Sequence, residues 1–245
     1  EIGDGNFDIE VGVDPDYEAL EMKVGSYINA EGKVVRDAAD AVGIVFKMEA
    51  IGDDVPANYP VALQGKTIAG YAVAIENVVV GRQTLNNEAI SSLVTTDATV
   101  TNGTQATEAL LTGLGDVAFK TTYEKWVNEH LLDGESLSSW YIPTLNQLGE
   151  FMGMLFKVGE VEPTGGQAFR EMPEFAFENG VMFDRDPIES VYYASCTVNG
   201  SKDVSGVIIN VDKTTKQVLD AKASSLKVTG SSQKALCRPM ITIFK

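Results

Sequence analysis

The run from Ala235 to Phe244 reads as a core strand, since Ala235, Leu236, Cys237, Met240, Ile241, Ile243 and Phe244 are all apolar. Two residues in its middle do not suit that role. Pro239 has no N–H to give to a ladder, so the strand must lie at an edge or be irregular there. Arg238 beside it carries a charge that cannot stay bare among apolar neighbours. It must reach the surface or meet carbonyl or carboxylate partners. Any fold for this chain has to accommodate that pair.

Two earlier stretches are nearly as informative. Trp140-Tyr141-Ile142-Pro143-Thr144 reads as a strand that stops at a proline and passes directly into a helix, because proline disfavours helix in the residue before it. Trp140 is large enough to plug a core beneath helices. Thr144-Leu145-Asn146-Gln147 has capping-box spacing, and Leu145, Leu148, Phe151, Met152 and Leu155 behind it form one apolar stripe. The third stretch, Tyr192-Tyr193-Ala194-Ser195-Cys196, falls within an expected strand over 190–198.

Around these the chain sorts into strands, then helices, then strands. Residues 26–29 and 33–35, joined through Glu31-Gly32, read as a hairpin. Residues 43–48 and 71–76 read as two further strands, separated by a loop over 49–68 that holds Gly52, Pro56, Pro60 and Gly65. A helix capped by Thr104 runs to about Leu111, with Ala106, Ala109 and Leu110 on one face. Thr121-Thr122-Tyr123-Glu124 has the spacing to cap another, carrying Tyr123, Trp126, Val127, His130 and Leu131. A short helix fits 167–171, and strands return over 206–211, 217–222 and 235–244. This order predicts an α+β class: an antiparallel sheet with two or three helices packed on it and long irregular loops. Residues 1–22 form an acidic N-terminal arm or linker, with a strand-like alternation of Phe7, Ile9, Val11 and Val13. Residues 23–245 form the domain.

Composition removes some classes of function. The 19 basic and 35 acidic residues leave a net charge of −16, which repels phosphate backbones and anionic lipid surfaces and disfavours nucleic acid as a partner. No apolar run reaches the length of a membrane span. The start at Glu1, with no apolar leader, is what a mature or trimmed chain shows, so a removed export signal or lipid anchor is compatible with it. Cys196 and Cys237 both fall on expected core strands. If those strands are neighbours a bridge is open to them, and otherwise they are two buried free thiols.

The usual catalytic sets do not assemble from sequence. His130 is the single histidine and sits on an amphipathic helix beside Glu129, as a packed or surface histidine does; a serine triad would need a serine and an acid close to it. Zinc sites of the His/Cys kind lack ligands, and no resident cofactor or metal is expected. Gly113-Leu114-Gly115 has neither the later glycine nor the Lys-Ser/Thr pair of a phosphate loop. Gly3-Asp4-Gly5-Asn6-Phe7-Asp8 lacks the spacing and closing glutamate of a calcium loop. Two carboxylates arranged for glycan hydrolysis stay open as an alternative in so acidic a chain.

The three marked stretches, in this order and spacing, resemble a known group. In C-type-lectin-like domains of the bacterial domain-of-unknown-function type, and in their sulfatase-modifying-factor relatives, a Trp-x-Leu-Pro-Thr segment opens the second helix. A Tyr-Trp-Ser-Ser strand follows, and a Val-Arg-Pro-Val strand closes the domain. Here those places are held by 140–144, 192–196 and 237–240. Tyr193 stands for the usual Trp and Ala194 for the usual Ser. Residues 43–46, 72–76 and 102–104 are similar to segments of related domains in surface proteins of gut Bacteroidetes.

The resemblance covers roughly residues 23–245 and implies a C-type-lectin-like fold. It also implies a non-enzymatic, exported binding module at the cell surface or outer membrane, lipid-anchored through a removed N-terminal segment. Such a module would recognise a glycan or a protein and could assemble with fimbrial or other surface subunits. A purely structural subunit of an appendage, with the arm adding a strand to a neighbour, is the alternative. The cysteine pair used for chemistry by the sulfatase-modifying relatives has no counterpart at Cys196 or Cys237. Within the resemblance Trp140, Pro143, Thr144, Arg238 and Pro239 take structural roles. Ligand contacts are expected from the polar loops at 158–189 and 199–205, through Asp184, Arg185, Asp186, Asn199, Lys202 and Asp203.

Overall fold

The computed structural model describes residues 20–81, 101–114, 118–156, 163–175, 183–185, 188–199, 203–215, 218–227 and 234–245. The acidic arm, apart from its last residues, lies outside them.

Two sheets and a small set of helices make up the described chain, a mixed α+β architecture. The first sheet contains β1 (Tyr27–Ile28), β2 (Val34–Val35), β3 (Gly43–Lys47), β4 (Ile68–Ala74) and β11 (Met240–Phe244), in the order β11-β4-β3-β1-β2 and antiparallel throughout. The second contains β5 (Val78–Gly81), β10 (Lys234–Cys237), β7 (Ile188–Asn199), β8 (Asp203–Asp212) and β9 (Val218–Lys227) in the order β5-β10-β7-β8-β9, with β6 (Phe183–Arg185) also paired to β7. Its one parallel pairing joins β10 to β7 at Leu236 and Tyr193. The helices are α1 (Val61–Gln64), α2 (Gly103–Leu114), α3 (Ala118–Glu129), α4 (Leu145–Phe156) and α5 (Gly166–Arg170).

A single ribbon ties the two sheets together. β4 and β5 follow each other in sequence, as do β10 and β11. β4 pairs with β11 in the first sheet, and β5 pairs with β10 in the second. The ribbon therefore leaves one sheet and enters the other where Ile75–Asn77 faces Arg238–Pro239. The expected single strand over 235–244 is two strands. The break falls at the proline, where a regular ladder lacks a donor, although the Pro239 carbonyl still accepts from Ala74 N–H at 2.8 Å.

Breaking a ladder strands carbonyls, and Arg238 collects them. Its side chain is 1% exposed. Nε donates to the Ala74 carbonyl at 2.6 Å and Nη2 to the Ile75 carbonyl at 2.9 Å. Nη1 donates to Asn77 Oδ1 at 3.2 Å, and both terminal nitrogens reach the Glu174 carbonyl at 3.3 Å. The guanidinium lies 4.9 Å from the centre of the Phe175 ring. Burial pulls its pKa down to about 10, so it keeps its charge at neutral pH, held by oxygen dipoles and an aromatic face.

The three marked stretches meet in space. Tyr141 and Met240 exchange two backbone hydrogen bonds of 2.9 Å, and Ser138 N–H donates to the Thr242 carbonyl. Cys196 N–H donates to the Pro143 carbonyl at 2.8 Å, and Leu145 N–H to Thr197 Oγ1 at 2.9 Å. The Thr107 hydroxyl of α2 bridges the N–H and carbonyl of Ile142. Residues 138–145 are thus clasped between β11, β7 and α2. They pair with β11 through isolated bridges in place of the continuous strand expected there. Trp140 is buried edge-on to Trp126, and its indole N–H donates to the His130 carbonyl at 2.7 Å.

A local signal explains the start of α4. The Thr144–Gln147 box closes reciprocally: Thr144 N–H donates to Gln147 Oε1 at 3.1 Å and Gln147 N–H to Thr144 Oγ1 at 3.3 Å. Thr121 does not cap. α3 begins at Ala118, so Thr121 lies inside the helix, and the added turn buries Phe119. Gly103 opens α2 one residue before the expected cap, where a Cβ would collide with Gln147 Oε1 and the Tyr141 ring. Leu131, placed by its spacing on the apolar face of this helix, lies beyond the helix end and is exposed.

β7 is buried on both faces, which is why its sequence lacks the polar alternation of a half-exposed strand. Tyr192, Ala194, Cys196 and Val198 face the core under α2 and α3. Val191 and Tyr193 face the core under α4 and α5, together with Val207, Ile209 and Phe151.

Replacing Arg238 by Met should strip the donors from three carbonyls and lower stability by about 3 kcal/mol or more. Arg238→Lys, with one compact ammonium in place of a five-donor fork, should fall between wild type and Arg238→Met. Denaturant midpoints at neutral pH measure both. Equal midpoints for all three proteins would show that the guanidinium does not hold the junction.

Candidate functional site

The sequence places six ligand residues on two loops, and the structure sends those loops to opposite ends of β7. Asp184 and Arg185 belong to β6, paired with Glu189 and Ile188 at the start of β7. Asn199 and Asp203 pair with each other at its far end, closing the β7–β8 hairpin. Twelve residues of strand separate these ends by roughly 35 Å. The two groups do not form one site. Asp186 and Lys202 lie outside the described residues, as do the side chains of Asp184, Arg185, Asn199 and Asp203. The polar stretches expected to be loops at 183–185 and 203–205 are strand.

Near the start of β7 the register assembles a different set of groups. Ser190 pairs with Asn210 of β8, and Asn210 with Asp220 of β9. These three side chains form a row across the sheet: Ser190 Oγ donates to Asn210 Oδ1 at 2.6 Å, and Asn210 Nδ2 donates to Asp220 Oδ1 at 2.5 Å. The next row on the same face is Tyr192, Ile208 and Lys222. Tyr192 is buried, Ile208 is partly buried against the core, and Lys222 is exposed with Nζ 3.9 Å from Asp220 Oδ2. The core residues of α2 and α3 cluster with the Tyr192–Val198 end of β7 and leave Ser190, Asn210, Asp220 and Lys222 partly or fully exposed.

A second polar constellation is fully internal. Asp54 is 4% exposed and takes four hydrogen bonds. Tyr59 Oη donates to Oδ2 at 2.5 Å, Tyr71 Oη to Oδ2 at 2.6 Å, Asn58 Nδ2 to Oδ1 at 2.8 Å, and the Val55 N–H also donates. Tyr59 spends its proton on the carboxylate, so the Thr242 hydroxyl at 2.8 Å donates to it. Tyr141 Oη, 3.0 Å from Thr242 Oγ1, in turn donates to Thr242. Gln147 continues the chain to the Thr101 carbonyl at 2.7 Å. The loop over 49–67, which contains the turn 56–58 and α1, is thereby fastened to β4, β11 and α4. Burial raises the pKa of Tyr59, Tyr71 and Tyr141 well above the ordinary phenol range, so these hydroxyls act as fixed hydrogen-bond donors. Asp54 and its tyrosines are dispersed in sequence over loop and strands, and no local spacing marks them.

His130 and the Glu49–Glu150 pair are likewise occupied. His130 stacks on Trp126 with ring centres 4.2 Å apart; Nδ1 lies 2.8 Å from the Trp126 carbonyl and Nε2 3.3 Å from Glu76 Oε1. Trp126 Nε1 donates to that same glutamate oxygen at 2.6 Å. None of these partners is a serine, threonine or cysteine, so no triad of that kind forms around His130. Glu49 and Glu150 converge on one ammonium, that of Lys47, on the protein exterior.

Cys196 and Cys237 are free and buried, so of the two readings left open the thiol form is the one present. Their strands are indeed neighbours, but the Leu236–Tyr193 register sets Cys237 beside Ala194, two residues from Cys196. That offset implies roughly 8 Å between Cα atoms, more than a disulfide spans. Burial pushes the Cys196 thiol up to about 12 and raises Cys237 as well, which suppresses the thiolate at neutral pH. Among the described residues no group of three or more His, Cys, Asp or Glu side chains is arranged to hold a metal ion. Nor is any described helix long and apolar enough to cross a membrane.

No family model, curated protein or solved structure matches the chain.

The Asp54 cluster makes a pH-dependent prediction. Burial pushes this carboxyl above its usual range, against the pull of its donors. The folded state therefore binds the proton at a higher pH than the unfolded chain does. Stability from this group is full below the unfolded value of about 3.9 and is lost as pH rises through the folded value. Tyr71→Phe removes one donor to the carboxylate and the acceptor of the Ile51 N–H. It should cost about 2 kcal/mol at pH 7, where the carboxylate needs its donors, and less near pH 4. Thermal melts of both proteins at the two pH values test this; a pH-independent difference would contradict it.

Proposed function

We propose that this chain is a non-enzymatic binding module on a C-type-lectin-like scaffold, exported to a cell surface, where it recognises a glycan or a protein. The observation that carries the scaffold reading is the reciprocal pairing of Tyr141 with Met240. It joins the Trp140–Thr144 segment to the Arg238–Pro239 strand, two of the three stretches on which the resemblance rests. The contact of Pro143 and Leu145 with Cys196 and Thr197 brings in the third. The reading of the activity as recognition is supported by how the polar groups divide. The buried Asp54 and Arg238 are consumed in holding segments together, while Ser190, Asn210, Asp220 and Lys222 lie on an open sheet face.

Screening the folded protein on a glycan array, and against surface proteins by pull-down, tests this reading. Saturable binding of at least one glycan or protein class is the expected result. A protein that melts cooperatively yet binds nothing in either screen would overturn it.

A further inference from the structure

We propose that the open face at the start of β7 is a contact site for a neutral sugar ring, with Ser190, Asn210, Asp220 and Lys222 as its polar groups and Ile208 as its apolar floor. This assignment rests on the binding-module reading and adds to it a place and a ligand class.

The place follows from what remains available. The Asp54 carboxylate has its hydrogen bonds made and is closed to solvent. The Tyr123 hydroxyl and the two thiols are sealed in the core. On the open face, by contrast, the hydrogen bonds orient the groups without using them up. Ser190 fixes Asn210 with Oδ1 inward, which turns Nδ2 toward Asp220 Oδ1. Among the described residues Asp220 Oδ2 pairs only with the ammonium of Lys222, and 3.9 Å is too long for a hydrogen bond. An ion pair this exposed, with side chains 64% and 51% accessible, contributes little to stability. It can therefore be opened at small cost.

The ligand class follows from the chemistry. A carboxylate oxygen that only accepts and an ammonium that only donates, side by side, match two adjacent ring hydroxyls, one donating to Asp220 and the next accepting from Lys222. The two charges cancel locally in a chain of net charge −16. An anion would meet the field of the whole chain, whereas a neutral polyol meets neither attraction nor repulsion and is selected by hydrogen-bond geometry. Ile208, partly buried between Tyr192 and Lys222 in the second row, gives the C–H face of a pyranose an apolar surface. A shallow face of this kind holds a single ring only in the millimolar range.

The test is a backbone-amide NMR titration of the whole chain with methyl glycosides of glucose, mannose and galactose. At least one should shift amides clustered at 190, 208–210 and 220–222. Asp220→Ala and Lys222→Ala should each weaken that binding about tenfold or more, with the melting temperature unchanged because both side chains are exposed. Lys125→Ala on α3 should bind as wild type does. Lys222→Ala keeps the test decisive should Asp220→Ala fold poorly, since among the described residues that exposed ammonium pairs with Asp220 alone. If a sugar binds but shifts other amides, or the variants bind normally, the site is wrong while the binding-module reading stands. If only a protein partner is found, the sugar assignment falls and the module survives. If no sugar and no protein binds, both fall.

Discussion

A single buried guanidinium holds together what the rest of the molecule is arranged around. The ribbon formed by β4–β5 and β10–β11 must change sheets, and a change of sheet interrupts the ladder. Carbonyls left without donors in a closed interior cost more than ordinary hydrogen bonds contribute. Arg238 answers that cost with five N–H groups directed at four residues. Pro239 fits beside it because the break is where a missing N–H does no harm. The same contacts draw in Glu174, so the segment over 163–175 is pinned to the junction as well. Arginine suits the task better than lysine because its donors are fixed in a plane and diverge.

The clasp over 138–145 depends on that junction. Its pairing partner, β11, starts two residues after Arg238, and its other contacts run to β7 in the second sheet. Tyr141 and Thr242 then pass the connection into the Asp54 cluster. Hydrogen bonds thus run from the sheet junction through the clasp to the loop over 49–67. This arrangement uses buried polar groups to specify one packing out of several that the apolar residues alone would allow.

Much of this was legible in sequence where the signal is local. The hairpin at 26–35, the capping box at Thr144 and the stripe behind it, and an irregularity at Pro239 all follow from neighbours a few residues apart. The same local reasoning placed a cap at Thr121, where burying Phe119 extended the helix past it. It also merged β10 and β11, because a run of apolar residues does not announce that its two halves belong to different sheets. β5 went unread, since Val78, Val79 and Val80 stand next to residues with no strand periodicity. The six expected ligand residues stand out in sequence only by polarity within expected loops. Polarity also marks the solvent face of a strand, and only the long-range register of β7, β8 and β9 separates the two. Asp54 is invisible for a related reason: one of two adjacent aspartates in a proline-containing loop looks solvated until Tyr59, Tyr71 and Asn58 are brought around it.

The ribbon also sets the order in which this protein can mature. The guanidinium of Arg238 and the Ala74 carbonyl it binds are 164 positions apart, and each sheet is incomplete without a strand from the final stretch. Topologies dominated by such distant pairings fold slowly. A nascent chain emerging from its amino end would carry both half-built sheets, with their unpaired edges, until residues 234–244 arrived. Closure is thus a late, concerted event, and a partner that shields those edges in the interval would act on the yield of folded protein without touching its final form.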